Sequence, residues 1–397
     1  MVALLLALLV SACGDQTTTS GTTVSPTTAA ATVSGTTVVS TTVAASTAAS
    51  TTVAGTTAPA TTAATTAAVT TAASTAAAAQ PSPTLAPGYF QNPVLKEDFP
   101  DPYILKVGNT FYAYATNAGG KKIQVTSSTD LVHWKTPVEA LPVLPPWATI
   151  NSGLVWAPEV TQIGDHFNLY FTARDSTSDK QCVGLATGTQ PDNFSSNSAQ
   201  PFVCHPQDGG DIDQDIFRDT DGKLYLYFKN DGNCCGLATH IYVQELTPDG
   251  LNLTGQPKEL LSNDAAWEGA VIEAPSMFKH DNNYYLFFSG NNYAGVEYAV
   301  GYATCQTALG PCQQASENPI LKSKLDKQPV VIGPGHQALL QVGNQTWMFY
   351  HAWEVTSSGK GDRRLMWMDK VNWVNGKPVV QGPTTSPQPD PQIPTGS

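Results

Sequence analysis

An all-β fold built from five repeated hairpins is what this sequence predicts, and three observations carry the prediction. Five segments alternate aromatic and aliphatic residues in the way strands do: N-T-F-Y-A-Y-A, D-H-F-N-L-Y-F, G-K-L-Y-L-Y-F, N-N-Y-Y-L-F-F and N-Q-T-W-M-F-Y. Each is entered through a Gly-, Asn- or Asp-bearing turn from a short apolar run: P-Y-I-L-K-V, P-E-V-T-Q-I, D-I-F-R-D, P-S-M-F-K and A-L-L-Q-V. Third, the hairpins recur at a steady interval. Eleven residues before Tyr112, Phe167, Leu224, Tyr284 and Trp347 stand Asp101, Trp156, Asp213, Glu273 and His336, with steps of 55, 57, 60 and 63 residues. A period near 60 is one four-stranded blade with surface insertions, and five such units predict a five-bladed β-propeller. Q-N-P-V-L at 91–95 and E-N-P-I-L at 317–321 echo each other ahead of the first and fifth units.

Ahead of the repeats, the chain opens M-V-A-L-L-L-A-L-L-V-S-A-C-G. This apolar run is too short to span a bilayer and ends in small residues, so it reads as an export signal. Val10-Ser11-Ala12-Cys13 resembles a lipobox, which would make Cys13 the lipidated anchor of a cell-surface protein; a plain secretory signal is the alternative. Between Asp15 and Lys96 there is no charged residue, only a Thr/Ala/Ser-rich stretch with Val, Gly and Pro. Such a segment has no apolar face to offset its ordering entropy and predicts a disordered, O-glycosylatable stalk. The expected organisation is a signal over 1–13, a stalk over 14–87, the propeller over 88–382 and a Pro-rich tail over 383–397. The net charge of −12 argues against nucleic acid as a partner. Six cysteines follow Cys13, an even number that suits disulfides in an exported chain. Cys182–Cys204 and Cys305–Cys312 are expected pairs; Cys234 and Cys235 either pair with each other or stay reduced.

In a propeller the first strand of every blade lines the axis, so one phase of the repeat faces one funnel. Three of those five positions are the carboxylates Asp101, Asp213 and Glu273, the fourth is His336 and the fifth Trp156. Converging carboxylates are costly unless they carry out chemistry or hold a cation. Two carboxyl groups across a small pocket are the minimum for glycosidic bond cleavage, one protonated to assist the leaving oxygen and one ionised to activate water or attack. Glu273 sits among Val271, Ile272, Ala274 and Met277, an apolar setting that favours the protonated form and the role of acid. Asp101, in the proline-stiffened D-F-P-D-P-Y, suits the base. Asp213 would raise the acid's pKa by its charge and help to orient it.

The ordered set F-P-D-P-Y-I-L, V-W-A-P-E-V, G-G-D-I-D-Q-D-I-F-R-D-x-D-G-K, V-I-E-A-P-S-M-F and G-P-G-H resembles glycoside hydrolase family 43. That resemblance implies an inverting five-bladed propeller acting on arabinose- and xylose-containing polysaccharides. It implies Asp101 as general base, Glu273 as general acid and Asp213 as the pKa-modulating carboxylate. It places His336 near the axis, where many members hold calcium or another ion through water, and it implies no required cofactor. Arg363 or Arg364, in G-D-R-R-L-M-W, falls where the family places an arginine on the substrate or the acid. One departure is the I-D-Q-D motif: Asp211, Asp213 and Asp215 alternate and would share one face of a strand. Glu159 and Glu268 stand outside the catalytic phase, the first read as structural and the second as a pocket-rim residue. Trp147, Trp156, Trp267, Tyr293 and Trp353 are stacking candidates, with Trp156 and Trp267 favoured as substrate-binding. An α-L-arabinofuranosidase or arabinanase is the first expectation and a β-xylosidase the alternative. A retaining fructan-acting enzyme ranks lower, because F-P-D-P and F-R-D-T replace its Asn-Asp-Pro and Arg-Asp-Pro. A surface propeller that only binds carbohydrate is the non-enzymatic reading.

Overall fold

The computed structural model describes residues 85–149 and 154–394. Cys13 and the stalk up to residue 84 lie outside the described residues. Among the described residues five antiparallel sheets of four or five strands follow one another along the chain. Blade 1 comprises Tyr103–Val107, Thr110–Ala115, Gln124–Ser128 and Val138–Glu139; blade 2, Val155–Ile163, His166–Arg174, Gln181–Gln190 and Asn193–Ser195. Blade 3 comprises Asp211–Arg218, Leu224–Asn230, His240–Leu246 and Leu253–Ser262. Blade 4 comprises Ile272–His280, Asn283–Gly290, Ala299–Cys305 and Cys312–Gln314, with Leu321–Lys322 added on its third strand. Blade 5 comprises Ile332–Val342, Gln345–Thr356, Gly359–Val374 and Lys377–Val380. The first strand of each blade packs against the first strands of its two neighbours, and the fifth returns to the first. The five-bladed propeller read from the repeats is therefore the observed fold.

The core lies between blades rather than along the axis. Each second strand is buried on both faces and splits its side chains by the two-residue period of the pleat. In blade 3, Leu224, Leu226 and Phe228 pack toward blade 2, while Tyr225 and Tyr227 pack toward blade 4. Equivalent clusters fill the other junctions, including the one where Ile104 and Phe111 of blade 1 meet Phe349 and Met368 of blade 5. The segment before blade 1 closes this last junction. Asn92 donates to the Met368 carbonyl and accepts the Met368 N–H, and Phe99 N–H donates to the Arg364 carbonyl. Tyr89–Phe90 also pairs with Gln388–Pro389, so residues read as a Pro-rich tail carry one strand of the closing pair. Cys182–Cys204, Cys305–Cys312 and Cys234–Cys235 are all disulfide-bonded.

Candidate active site

At the inner end of every first strand the backbone makes the same detour. One residue in each blade adopts positive φ: Asp101 (55°), Ala157 (42°), Asp213 (57°), Ala274 (53°) and His336 (51°). None is glycine, so each carries strain of about 1–3 kcal/mol, of the kind that clusters at functional sites. In blades 2 to 5 the strand pairing is interrupted by a bulge at this point. The sequence count put Trp156 and Glu273 in phase with Asp101, Asp213 and His336. The structure corrects this by one residue, because Ala157 and Ala274 hold the left-handed positions and Trp156 and Glu273 precede them. The aromatic anchors used for counting drift in register, since strands buried on both faces accept aromatics in either phase. Trp156 and Glu273 nevertheless enter the same cavity, from the residue before the bulge.

That strain is held by a ring of buried polar residues that follow the aromatic runs of the second strands: Thr116, Thr172, Lys229, Ser289 and His351. Each reaches into the next blade. Thr116 Oγ1 accepts the Ala157 N–H at 2.8 Å, and Thr172 donates to Gln214 Oε1 at 3.2 Å. Lys229 Nζ lies 3.5 Å from Glu273 Oε2. Ser289 Oγ accepts the His336 N–H and donates to Gln337 Oε1, both at 2.9 Å. His351 Nδ1 accepts the Asp101 N–H at 3.3 Å, which brings the ring back to blade 1. Gln214 and Gln337, each just after a left-handed residue, donate to the carbonyls of Ala157 and Ala274 in the preceding blade.

The ring surrounds a cavity of about 470 Å³ lined by Asp101, Trp156, Asp213, Glu273, His336 and Arg364, with Thr116, Asn233, Cys234 and Tyr293 among its other walls. Asp101 is buried, and Oδ1 takes Arg364 Nη1 at 2.7 Å while Oδ2 takes the Thr116 hydroxyl at 2.5 Å. His351 and His336 add imidazole nitrogens 3.1 and 3.4 Å from Oδ1. Burial raises the proton affinity of Asp101, but Arg364, followed by His336, outweighs it and holds the carboxyl well below the usual range. Burial and Arg364 push His351 down to about 4, so its ring is neutral near pH 7. Glu273 has the opposite setting. Burial raises its pKa and the Asp213 charge adds to that, against Lys229, the Tyr298 hydroxyl and His336. Tyr298 donates to Glu273 Oε1 at 2.7 Å. Burial also raises Asp213, whose Oδ2 accepts the Ala274 N–H at 2.9 Å and so fastens the strand that carries Glu273. Two carboxyls of opposite protonation preference thus face one pocket, the arrangement needed to activate water and protonate a leaving group together.

Several sequence expectations take different places. Of the three aspartates in D-I-D-Q-D, only Asp213 lines the cavity; the bulge turns Asp211 to His205 and Asp215 to the Met277 N–H. Arg364 is the arginine in the pocket. Arg363 points away to Glu354 and the Lys96 carbonyl. Trp267 does not line the cavity, because its indole packs on Phe288 and over Gly290 and Gly301, where a Cβ would meet it at 2.6–2.7 Å. Trp147 is a core residue stacked on Phe171. Tyr293 and Trp353 form a stacked pair beside the pocket, with the Arg364 guanidinium 5.0 Å from the Tyr293 ring. Glu159 is buried and accepts the Ile216 N–H at 2.7 Å, whereas Glu268 is buried in a turn, accepting the N–H groups of Asp264 and Ala265, and is no rim residue. His336 lines the cavity with its Nδ1 3.4 Å from Asp101 Oδ1. Among the described residues the one group of three candidate metal ligands is Asp175, Cys182 and Cys204, whose cysteines are disulfide-bonded, whereas calcium takes six to eight oxygens.

Thr116, Thr172, Lys229, Ser289 and His351 escaped the sequence reading. Their signal is present all the same: a polar residue directly follows each aromatic strand, in Y-A-T, Y-F-T, Y-F-K, F-F-S and F-Y-H. Tyr298 carries no comparable mark.

The sequence profile described as glycosyl hydrolases family 43 matches residues 90–378. The chain belongs to glycosyl hydrolases family 43. This family-43 chain is 28% identical over 271 residues to a beta-xylosidase of Bacillus subtilis (strain 168), covering 66% of this chain and 49% of that protein. It is 29% identical over 238 residues to an extracellular endo-alpha-(1->5)-L-arabinanase of Thermotoga petrophila, covering 51% of this chain and 47% of that one. The chain therefore spans about half the length of these relatives. A solved thermostable family-43 glycoside hydrolase superposes with a TM-score of 0.69 at 33% identity, over 77% of this chain and all of that one.

Proposed function

We propose that this family-43 chain is an exported, inverting glycoside hydrolase that cleaves arabinose- or xylose-containing plant polysaccharides, with arabinofuranosides or arabinan first among its substrates. The observation that carries this reading is the contrast between Asp101, held as an anion by Arg364, and Glu273, kept toward its protonated form by burial. Relatives named as a beta-xylosidase, an endo-arabinanase and an exo-alpha-(1->5)-L-arabinofuranosidase support the substrate class, and two of those names include "extracellular". Lipid attachment at Cys13 is part of the same proposal and rests on Val10-Ser11-Ala12-Cys13.

In this mechanism Asp101 takes a proton from a water as that water attacks the anomeric carbon opposite the leaving oxygen. Glu273 delivers its proton to that oxygen as the C–O bond breaks, leaving a sugar of inverted configuration. Both carboxyls then reset by exchange with solvent. Asp213 keeps Glu273 protonated beforehand and fixes its strand through the Ala274 N–H. Trp156 offers a ring face to the sugar. No step passes through an ion at His336.

The test pairs Glu273→Gln with Asp101→Asn on substrates of poor and activated leaving groups. Glu273→Gln loses turnover on the poor leaving group and keeps much of it on an activated aryl glycoside, while Asp101→Asn loses both. Proton NMR of the first-formed anomer shows inversion, and chromatography of products from arabinan, arabinoxylan and xylo-oligosaccharides identifies the sugar released. Near-normal turnover of a poor leaving group by Glu273→Gln would remove it as the acid. Binding without product from any of these glycans would leave a carbohydrate-binding propeller.

A further inference from the structure

Lys229 is fully buried, which lysine almost never is unless something pairs it. It follows the aromatic run of the second strand of blade 3, where the other blades carry Thr116, Thr172, Ser289 and His351. The first three are neutral, and His351 is neutral near pH 7. A hydroxyl would suffice to bridge two blades, and burying an ammonium costs more than burying a hydroxyl. Its Nζ also faces the pocket carboxyl given the role of acid, 3.5 Å from Glu273 Oε2. Its nearer partner is Asn233, whose Oδ1 accepts from Nζ at 2.6 Å. Asn233 lies in the short 3₁₀ turn Gly232–Cys235, closed by the Cys234–Cys235 disulfide and ended by left-handed Gly236. Asn233 and Cys234 also line the cavity, so the turn that positions the lysine belongs to the pocket wall.

We propose that Lys229, shared between Asn233 and Glu273, is a positioning residue that aims the Glu273 carboxyl and sets the pH range over which it delivers its proton. This rests on the reading of Glu273 as the acid. The charged and titratable groups facing Glu273 are Lys229 and Asp213 from blade 3, Asp231 beside the turn, Tyr298 from blade 4 and His336 from blade 5. Asp213 and Asp231 resist loss of the proton. Lys229 acts in the other direction, stabilising the carboxylate that remains once the leaving oxygen has taken the proton. An acid held only by burial and negative neighbours would keep its proton too firmly to part with it in the transition state.

The experiment measures kcat/KM against pH for Lys229→Met, Lys229→Arg and Asn233→Ala, on a poor and an activated leaving group. In Lys229→Met the basic limb moves up by roughly one pH unit, the low end for an opposite charge at this separation. Turnover of the poor leaving group falls while the activated one is largely spared, and Lys229→Arg restores most of both. In Asn233→Ala the ammonium is released from the amide toward Glu273, so the basic limb moves down. Asn233 is exposed, so this variant keeps the test open should Lys229→Met fail to fold. A basic limb that stays in place in both variants would overturn the proposal, as would an equal loss on both leaving groups with an unchanged profile. Glu273→Gln serves as the reference arm. If it kills turnover of the poor leaving group while the limbs of the other variants stay fixed, Lys229 alone is misassigned; if it leaves that turnover intact, the acid reading itself fails.

Discussion

Thr116→Val isolates how much of the site's architecture is electrostatic. The Thr116 hydroxyl serves two partners, donating to Asp101 Oδ2 at 2.5 Å and accepting the Ala157 N–H at 2.8 Å. Valine keeps the shape and removes both bonds. A hydrogen bond to a charged group contributes about 1.5–3 kcal/mol, and an orphaned buried N–H costs about 1–3 kcal/mol. Thr116 also lines the cavity, so water can replace part of what is lost and a deficit of about 2–3 kcal/mol is expected. Its pH dependence separates the two parts. Asp101 has a depressed pKa in the folded protein, so its contribution is present above the unfolded carboxylate value and is lost as pH falls through the folded one. The deficit of Thr116→Val should be greatest at neutral pH and shrink toward the Ala157 part in strong acid. Thr172→Val is the control, since Thr172 donates to Gln214 and to no carboxylate. Its deficit should be flat with pH. The measurement is urea unfolding with the disulfides intact, from neutral pH down into strong acid, below the folded pKa of Asp101. A Thr116→Val deficit as large in strong acid as at neutral pH would refute the claim that this hydroxyl stabilises the Asp101 anion.

Two contrasts test the placements that the structure separates. Arg364→Met removes the cation that holds Asp101 ionised, so the acid limb of kcat/KM moves to higher pH and activity at mildly acid pH falls; Arg363→Met breaks an exposed pair with Glu354, leaves the profile unchanged and costs no more than about 1 kcal/mol in unfolding experiments. Trp156→Ala raises KM with little change in stability, whereas Trp267→Ala leaves KM unchanged and loses roughly 3 kcal/mol, the low end for deleting a packed aromatic, read as a lower unfolding midpoint.

The repeat was legible because each blade must bury a second strand on both sides, and that requirement writes itself as an aromatic run at fixed intervals. The same requirement blurred the register. Aromatics on both faces give no unique phase, so Trp156 and Glu273 were counted one residue away from Ala157 and Ala274, which adopt the left-handed backbone. Asp101, Asp213, Glu273, His336 and Arg364 could be named from the chain and meet in one cavity. Arg363 could not be told from Arg364 because neighbours on a strand point to opposite faces, and only the blade's pairing decides which faces the axis. Trp267 looked like a sugar platform, yet the glycines that accept its ring, Gly290 and Gly301, lie 23 and 34 residues further on. The partners of the carboxylates were the least visible. A lone Thr, Lys, Ser or His after an aromatic strand is ordinary until ring closure brings it against the neighbouring blade.

The order in which the ring closes also bears on when the protein can work. Asp101 stands at the threshold of the first blade, but Arg364 and His351, which keep it ionised and hold its backbone, belong to the last. As the chain emerges during synthesis, four finished blades would still present an aspartate without its guanidinium, lacking the field that the proposed base requires. On the proposed mechanism the final blade is an arming step: incomplete or misassembled copies of this propeller would remain silent, and activity would arrive with closure.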